Sequence, residues 1–127
     1  MEKKIINTSG APAPIGPYKQ AIQYGDMLFI SGQVPIDPAT GNVCVGDVTA
    51  ETQQVMKNLQ AILAEAGMTF ANVLKSTIFL TSMGDFAKVN EVYGTCFPGD
   101  HAPARETVQV GALPKGVNVE ISMIAGR

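Results

Sequence analysis

Histidine and cysteine are scarce in this chain of 127 residues, which holds one His and two Cys. A Ser-His-Asp triad or a histidine-rich metal site would have to be built around His101 alone. That residue lies in the loop-like run Gly99-Asp100-His101-Ala102-Pro103, where a solvated histidine is the simpler reading. Cys44 and Cys96 make neither a metal-ligand spacing nor a disulfide framework, and they suit ordinary thiols in a reducing compartment. Charge is low as well. Charged residues make up 16% of the chain, the net charge is −2 and the pI is about 5.2. The nine Lys and Arg are scattered without a basic stripe, which argues against nucleic acid as the main partner, since phosphate binding needs clustered positive charge. No apolar run approaches membrane-spanning length. The opening Met1-Glu2-Lys3-Lys4-Ile5-Ile6-Asn7-Thr8 lacks the apolar stretch of a secretory signal, so the expected location is the cytoplasm and no membrane partner is expected. There is no glycine-rich phosphate loop, CxxC or HExxH motif, and no repeat or linker.

What is present is a large apolar share, 46% of residues. The length fits a single domain over 1–127, long enough to bury a core. Many apolar residues with few charges imply surface not meant for water, and a subunit interface is its simplest use.

Periodicity yields an alternating order of elements. Residues 22–24 and 27–31 read as a hairpin about Gly25-Asp26. Met27-Leu28-Phe29-Ile30 is apolar on both faces and must be covered on both sides. Residues 35–46 form a turn-rich loop. A helix is predicted over 49–66, with Val55, Leu59, Ile62, Leu63 and Ala66 on one face; Asp47 or Thr49 can cap its start and Gly67 its end. A β-branched strand follows over 73–81, then a helix over 85–97 burying Phe86, Val89, Tyr93, Cys96 and Phe97. Strands over 105–110 and 117–125 read as a second hairpin, closed by residues 111–116. This order describes an α+β domain with two helices packed on one sheet face. Several strands are apolar on both faces, so the uncovered face calls for another subunit.

The second hairpin carries the candidate chemistry. Arg105, Thr107 and Gln109 share one strand face, and a turn centred near Leu113-Pro114 sets Thr107 opposite Glu120, with Arg105 its diagonal neighbour at about 7–8 Å. One reading is a cross-strand ion pair with no chemical role. The other divides the work: the planar Arg105 fork matches a carboxylate bidentately, and Glu120 takes a proton from a water attacking an electrophilic carbon. Gly32 permits close backbone approach to a ligand, or merely eases a strand bend. Tyr18 is core or pocket wall. Asn90 sits among Phe86, Tyr93 and Phe97, either as a structural bridge or as a pocket residue. The six Met residues are scattered and read as core filler.

Four segments, taken together and in order, resemble the RidA (YjgF) family: Ala13-Pro14-Ile15-Gly16-Pro17-Tyr18, Ser31-Gly32-Gln33-Val34-Pro35, Pro103-Ala104-Arg105, and Leu113 through Ile121 (LPKGVNVEI). The resemblance spans nearly the whole chain. It implies a chorismate-mutase-like α+β fold with a mixed sheet, and a homotrimer with sites at subunit interfaces. It also implies cofactor-free, metal-free hydrolysis of 2-iminobutanoate and 2-iminopropanoate to 2-keto acids and ammonia. On that resemblance Arg105 clamps the substrate carboxylate, backbone N–H groups of Gly32 and Thr107 hold the ligand, and Glu120 activates water with the Pro114 carbonyl. Tyr18 and Asn90 line the pocket. Many members carry Cys where this chain has Thr107, which puts any thiol-based switching there in doubt. A non-enzymatic ligand-binding trimer, an endoribonuclease or translation inhibitor, and a holdase-type chaperone are the alternatives.

Overall fold

A computed structural model describes residues 1–44 and 46–127. Six strands form one mixed sheet: β1 (Lys4–Ile6), β2 (Ala21–Tyr24), β3 (Met27–Gln33), β4 (Val73–Leu80), β5 (Ala104–Gln109) and β6 (Val119–Gly126). Their order across the sheet is β1-β2-β3-β6-β4-β5. Helices α1 (Val48–Glu65) and α2 (Phe86–Gly94) follow β3 and β4 in the chain. The α+β reading with two helices on one face holds.

The β2–β3 hairpin forms as predicted, with Tyr24 paired to Met27. Helix α1 starts at its Asp47 cap, whose carboxylate accepts the Ala50 N–H at 3.0 Å. Gly67 beyond its end has φ +73°, which a side chain would resist. Val55, Leu59, Ile62 and Leu63 are fully buried against the sheet. Helix α2 is shorter than the predicted 85–97, chiefly at its end, where the N–H groups of Thr95, Cys96 and Phe97 bond three residues back in tight turns beyond Gly94.

The second hairpin does not exist. Strand β4 lies between β5 and β6, parallel to β5 and antiparallel to β6. The run from Gly111 to Gly116, read as a hairpin loop, instead carries the chain past β4. Thr107 and Glu120 therefore do not face each other: Thr107 pairs with Ile78, and Glu120 with Phe79. The local signal of two β-rich runs joined by a turn was overridden because β4, whose Ser76, Ile78 and Leu80 are buried under the helices, gains two hydrogen-bonded neighbours in the sheet's interior.

The alternation in β6 was read correctly. Val119, Ile121, Met123 and Ala125 are buried beneath the helices, while Glu120, Ser122 and Ile124 stand on the other face, half-buried. With Phe29 of β3 and Val108 of β5, both exposed, they make up a sheet face that no helix covers. No helix among the described residues is long and apolar enough to cross a membrane.

Candidate active site

One chain divides the candidate residues between two places. The first surrounds Glu120. Strand β3 bulges where it meets β6: Ile30 pairs with Met123 and Gln33 with Ile121, so Ser31 and Gly32 together oppose Ser122. The Glu120 side chain lies over this bulge. A Cβ on Gly32 would collide with its Oε2 and stand 2.8 Å from its Cδ. Gly32 is thus glycine because a carboxylate occupies the space beside its Cα.

Beside them opens a cavity of about 440 Å³, lined by Pro12, Ile15, Tyr18, Val34, Ile36, Pro114 and Lys115 among others. Partial burial against this wall pushes the Glu120 pKa above the ordinary carboxylate range. Buried Gln20 holds the loop that forms one side. Its Oε1 accepts the Thr8 N–H at 2.8 Å, and its Nε2 donates to the carbonyls of Thr8, Ala11 and Pro12 at 2.9–3.2 Å. Neither Gln20 nor this loop clamp was singled out in the sequence; the run of Pro and Gly over 9–16 is the signal that points to a loop there.

The turn Pro114–Gly116 forms the opposite rim. Lys115 adopts φ +59°, the single non-glycine left-handed residue among those described. The Pro114 carbonyl accepts the Val117 N–H at 3.4 Å and keeps a second lone pair. Just after this turn, buried Glu51 of α1 accepts both the backbone N–H and the side-chain Nδ2 of Asn118, at 2.8 and 2.6 Å. That pair fixes where β6 begins, and so where Glu120 points.

The second place surrounds Arg105, on the helix side of the sheet. Arg105 pairs with Ser76 of β4. Its guanidinium donates from Nη1 to Asn90 Oδ1 at 2.8 Å, and lies 5.1 Å from the Tyr93 ring centre and 5.7 Å from that of Phe86. Asn90 is exposed rather than core, and its partner is the arginine. A cavity of about 470 Å³ opens here between α2 and the Ala102-Pro103 segment. Thr107, two residues on, shares Arg105's face, and its Oγ1 is buried without a hydrogen-bond partner.

The expected proximity of Arg105 and Glu120 fails within one chain. They sit on opposite sheet faces, and their β4 partners Ser76 and Phe79 are three residues, about 10 Å, apart. Tyr18, Gly32, Pro114 and Glu120 come together; Arg105 and Asn90 form the other group.

One chain thus carries two candidate centres, a desolvated carboxylate over a bulge inside the sheet and a braced arginine on the edge strand β5. The profile of the endoribonuclease L-PSP family matches residues 8–126. The chain is 55% identical to the DfrA protein of Myxococcus xanthus, over 98% of this chain and 96% of that one. It is 50% identical to the 2-iminobutanoate/2-iminopropanoate deaminase of Mus musculus, over 97% of this chain and 90% of that one. Among solved structures, Escherichia coli TdcF with bound serine superposes with a TM-score of 0.92 at 43% identity, covering 98% of each chain. The protein belongs to this family, the RidA family that its four motifs resembled.

Proposed function

We propose that the protein is a cofactor-free hydrolytic deaminase, converting reactive 2-imino acids such as 2-iminobutanoate and 2-iminopropanoate to 2-keto acids and ammonia. It works as a cytoplasmic homotrimer whose sites are closed by Arg105 of the partner subunit meeting the Glu120 pocket. The observation that carries this reading is the split itself. A carboxylate set in an apolar cavity and an arginine braced by Asn90 are complementary halves that one chain cannot bring together, while a sheet face holding Phe29 and Val108 is left exposed.

The guanidinium uses one N–H on Asn90 and retains a fork for the substrate carboxylate. Backbone N–H groups of Gly32 and Thr107 complete the hold, and Tyr18 walls the pocket. Glu120 takes a proton from water as the water oxygen bonds to C2, while the imine nitrogen gains a proton. The resulting carbinolamine collapses: Glu120 gives its proton to the amino nitrogen, the C2–N bond breaks, ammonia leaves, and the C2 hydroxyl proton passes to solvent as the carbonyl forms. Glu120's raised pKa suits this exchange, because a base of higher pKa draws the proton more strongly. The Pro114 carbonyl accepts the water's second hydrogen. The homology to a mammalian imine deaminase supports the reaction, and the serine bound to the TdcF relative supports an amino-acid-sized carboxylate ligand. The endoribonuclease description of the family finds less support here, since the net charge is −2 and no basic stripe runs through the chain.

The test is complementation. A threonine dehydratase supplies 2-iminobutanoate, semicarbazide traps the free imine, and 2-ketobutyrate is followed. Wild type should accelerate keto-acid formation; Arg105→Ala and Glu120→Gln should each abolish the acceleration. Refolded together in equal amounts, the two variants should recover about one active site in four, because each site draws one residue from each of two chains. No acceleration by wild type overturns the deaminase; no recovery overturns the shared site.

A further inference from the structure

We infer that Tyr93, tethered through Ser76, is a positioning residue that aims the Arg105 guanidinium and so sets how strongly the site prefers a carboxylate. The inference rests on the proposed role of Arg105 as the carboxylate clamp.

Tyr93 is 4% exposed, so its hydroxyl is a buried polar group that must be satisfied. It donates to the Ser76 Oγ at 2.9 Å, and Ser76 is fully buried too. Ser76 is the residue that pairs with Arg105 across β4 and β5. The chain of contacts therefore returns to its origin. The strand position that carries the arginine is paired to the strand position that fixes the ring lying under that arginine's head group. The ring cannot slide along α2 without breaking a buried hydrogen bond, and Phe97 backs it at a centroid distance of 4.7 Å.

The guanidinium is restrained in three ways. Asn90 holds one edge, and the rings of Tyr93 and Phe86 lie within cation–π range of its carbon. A long side chain on an exposed edge strand would otherwise sample many rotamers and lose that freedom on binding. The aromatic brace removes part of this loss beforehand, which strengthens binding through preorganisation. Burial raises the Tyr93 pKa despite the Ser76 bond and the nearby arginine charge, so the hydroxyl stays protonated and remains a donor.

The test measures dissociation constants of the assembled protein for 2-ketobutyrate and for its uncharged analogue 2-ketobutyramide. Their ratio isolates the carboxylate. Wild type should prefer the acid. Tyr93→Leu should cut that preference about fivefold or more, with binding of the amide little changed, whereas Tyr93→Phe, which keeps the ring and loses the tether, should cut it only about twofold. Equal weakening of both ligands, or an unchanged ratio in folded Tyr93→Leu, would mean a purely structural role and overturn the inference. Should Tyr93→Leu not fold, the paired change Ser76→Ala with Tyr93→Phe decides the matter, since it removes both hydroxyls and orphans neither. A preference lowered at least about twofold supports the tether; a wild-type ratio overturns it. A wild type that binds acid and amide alike would instead overturn the carboxylate clamp, and the two failures are told apart in that way.

Discussion

At Glu120, reactivity and stability pull in opposite directions. Desolvation raises its pKa, so the folded chain favours the protonated form. Its contribution to stability is fully present below the ordinary carboxylate value and is lost as pH rises through the raised one. Glu120→Gln should therefore abolish imine hydrolysis yet raise the melting temperature at pH 7, with the gain shrinking as the pH is lowered below the ordinary carboxylate range; thermal scans across pH check it. The wild-type rate should fall as acid protonates the base, with its limb displaced upward from an unperturbed carboxylate. Gly32→Ala should lower activity by about tenfold or more, because the added methyl takes the space of the Glu120 carboxyl, and steady-state kinetics on the folded variant measure it. Residues such as Arg105 and Glu120 were legible because their types carry chemistry. Gln20, Glu51 and Ser76 were not, since their work lies in partners distant in the chain.

Helix α1 does more than cover the sheet. Buried Asn58 donates its Nδ2 to the Ile36 and Val34 carbonyls at 3.0 and 3.3 Å, tying down the segment that leaves β3 and floors the pocket. Asn58→Ala should strand the Ile36 carbonyl, while that of Val34 keeps the Ile36 N–H at 2.7 Å, and destabilise the fold by about 1–3 kcal/mol, read from urea unfolding, with weaker ligand binding beside it. The periodic stripe of α1 and the first hairpin were legible because their determinants lie within a few residues. The pairing of the last two strands was not. A hairpin signal is local, whereas the insertion of β4 between β5 and β6 depends on contacts about thirty to fifty residues apart, and nothing in the alternation of β6 names its neighbours.

For the whole molecule, the uncovered sheet face was anticipated from strands apolar on both sides, whereas sites at subunit interfaces were expected from the family resemblance alone, because the sequence of one chain does not say which face meets another. Phe29 stands on that face beside Ile124. Phe29→Glu should yield a smaller species in sedimentation with its far-UV dichroism preserved, and should lose hydrolysis, since a buried unpaired charge opposes association. A variant that stays assembled and active would show that this face does not hold the oligomer together.

The sheet order also governs the timing of folding. Strand β6 is made after the other five, yet it lies between β3 and β4 and bonds to both. While the ribosome is still extending the chain, the β1-β2-β3 meander and the β4-β5 pair exist as two unsealed pieces, each with an open apolar edge. Only the arrival of β6 joins them. The nascent protein passes through a period of exposed β-edge that ends in one closing step, and protection of those edges matters most in the interval before β6 arrives.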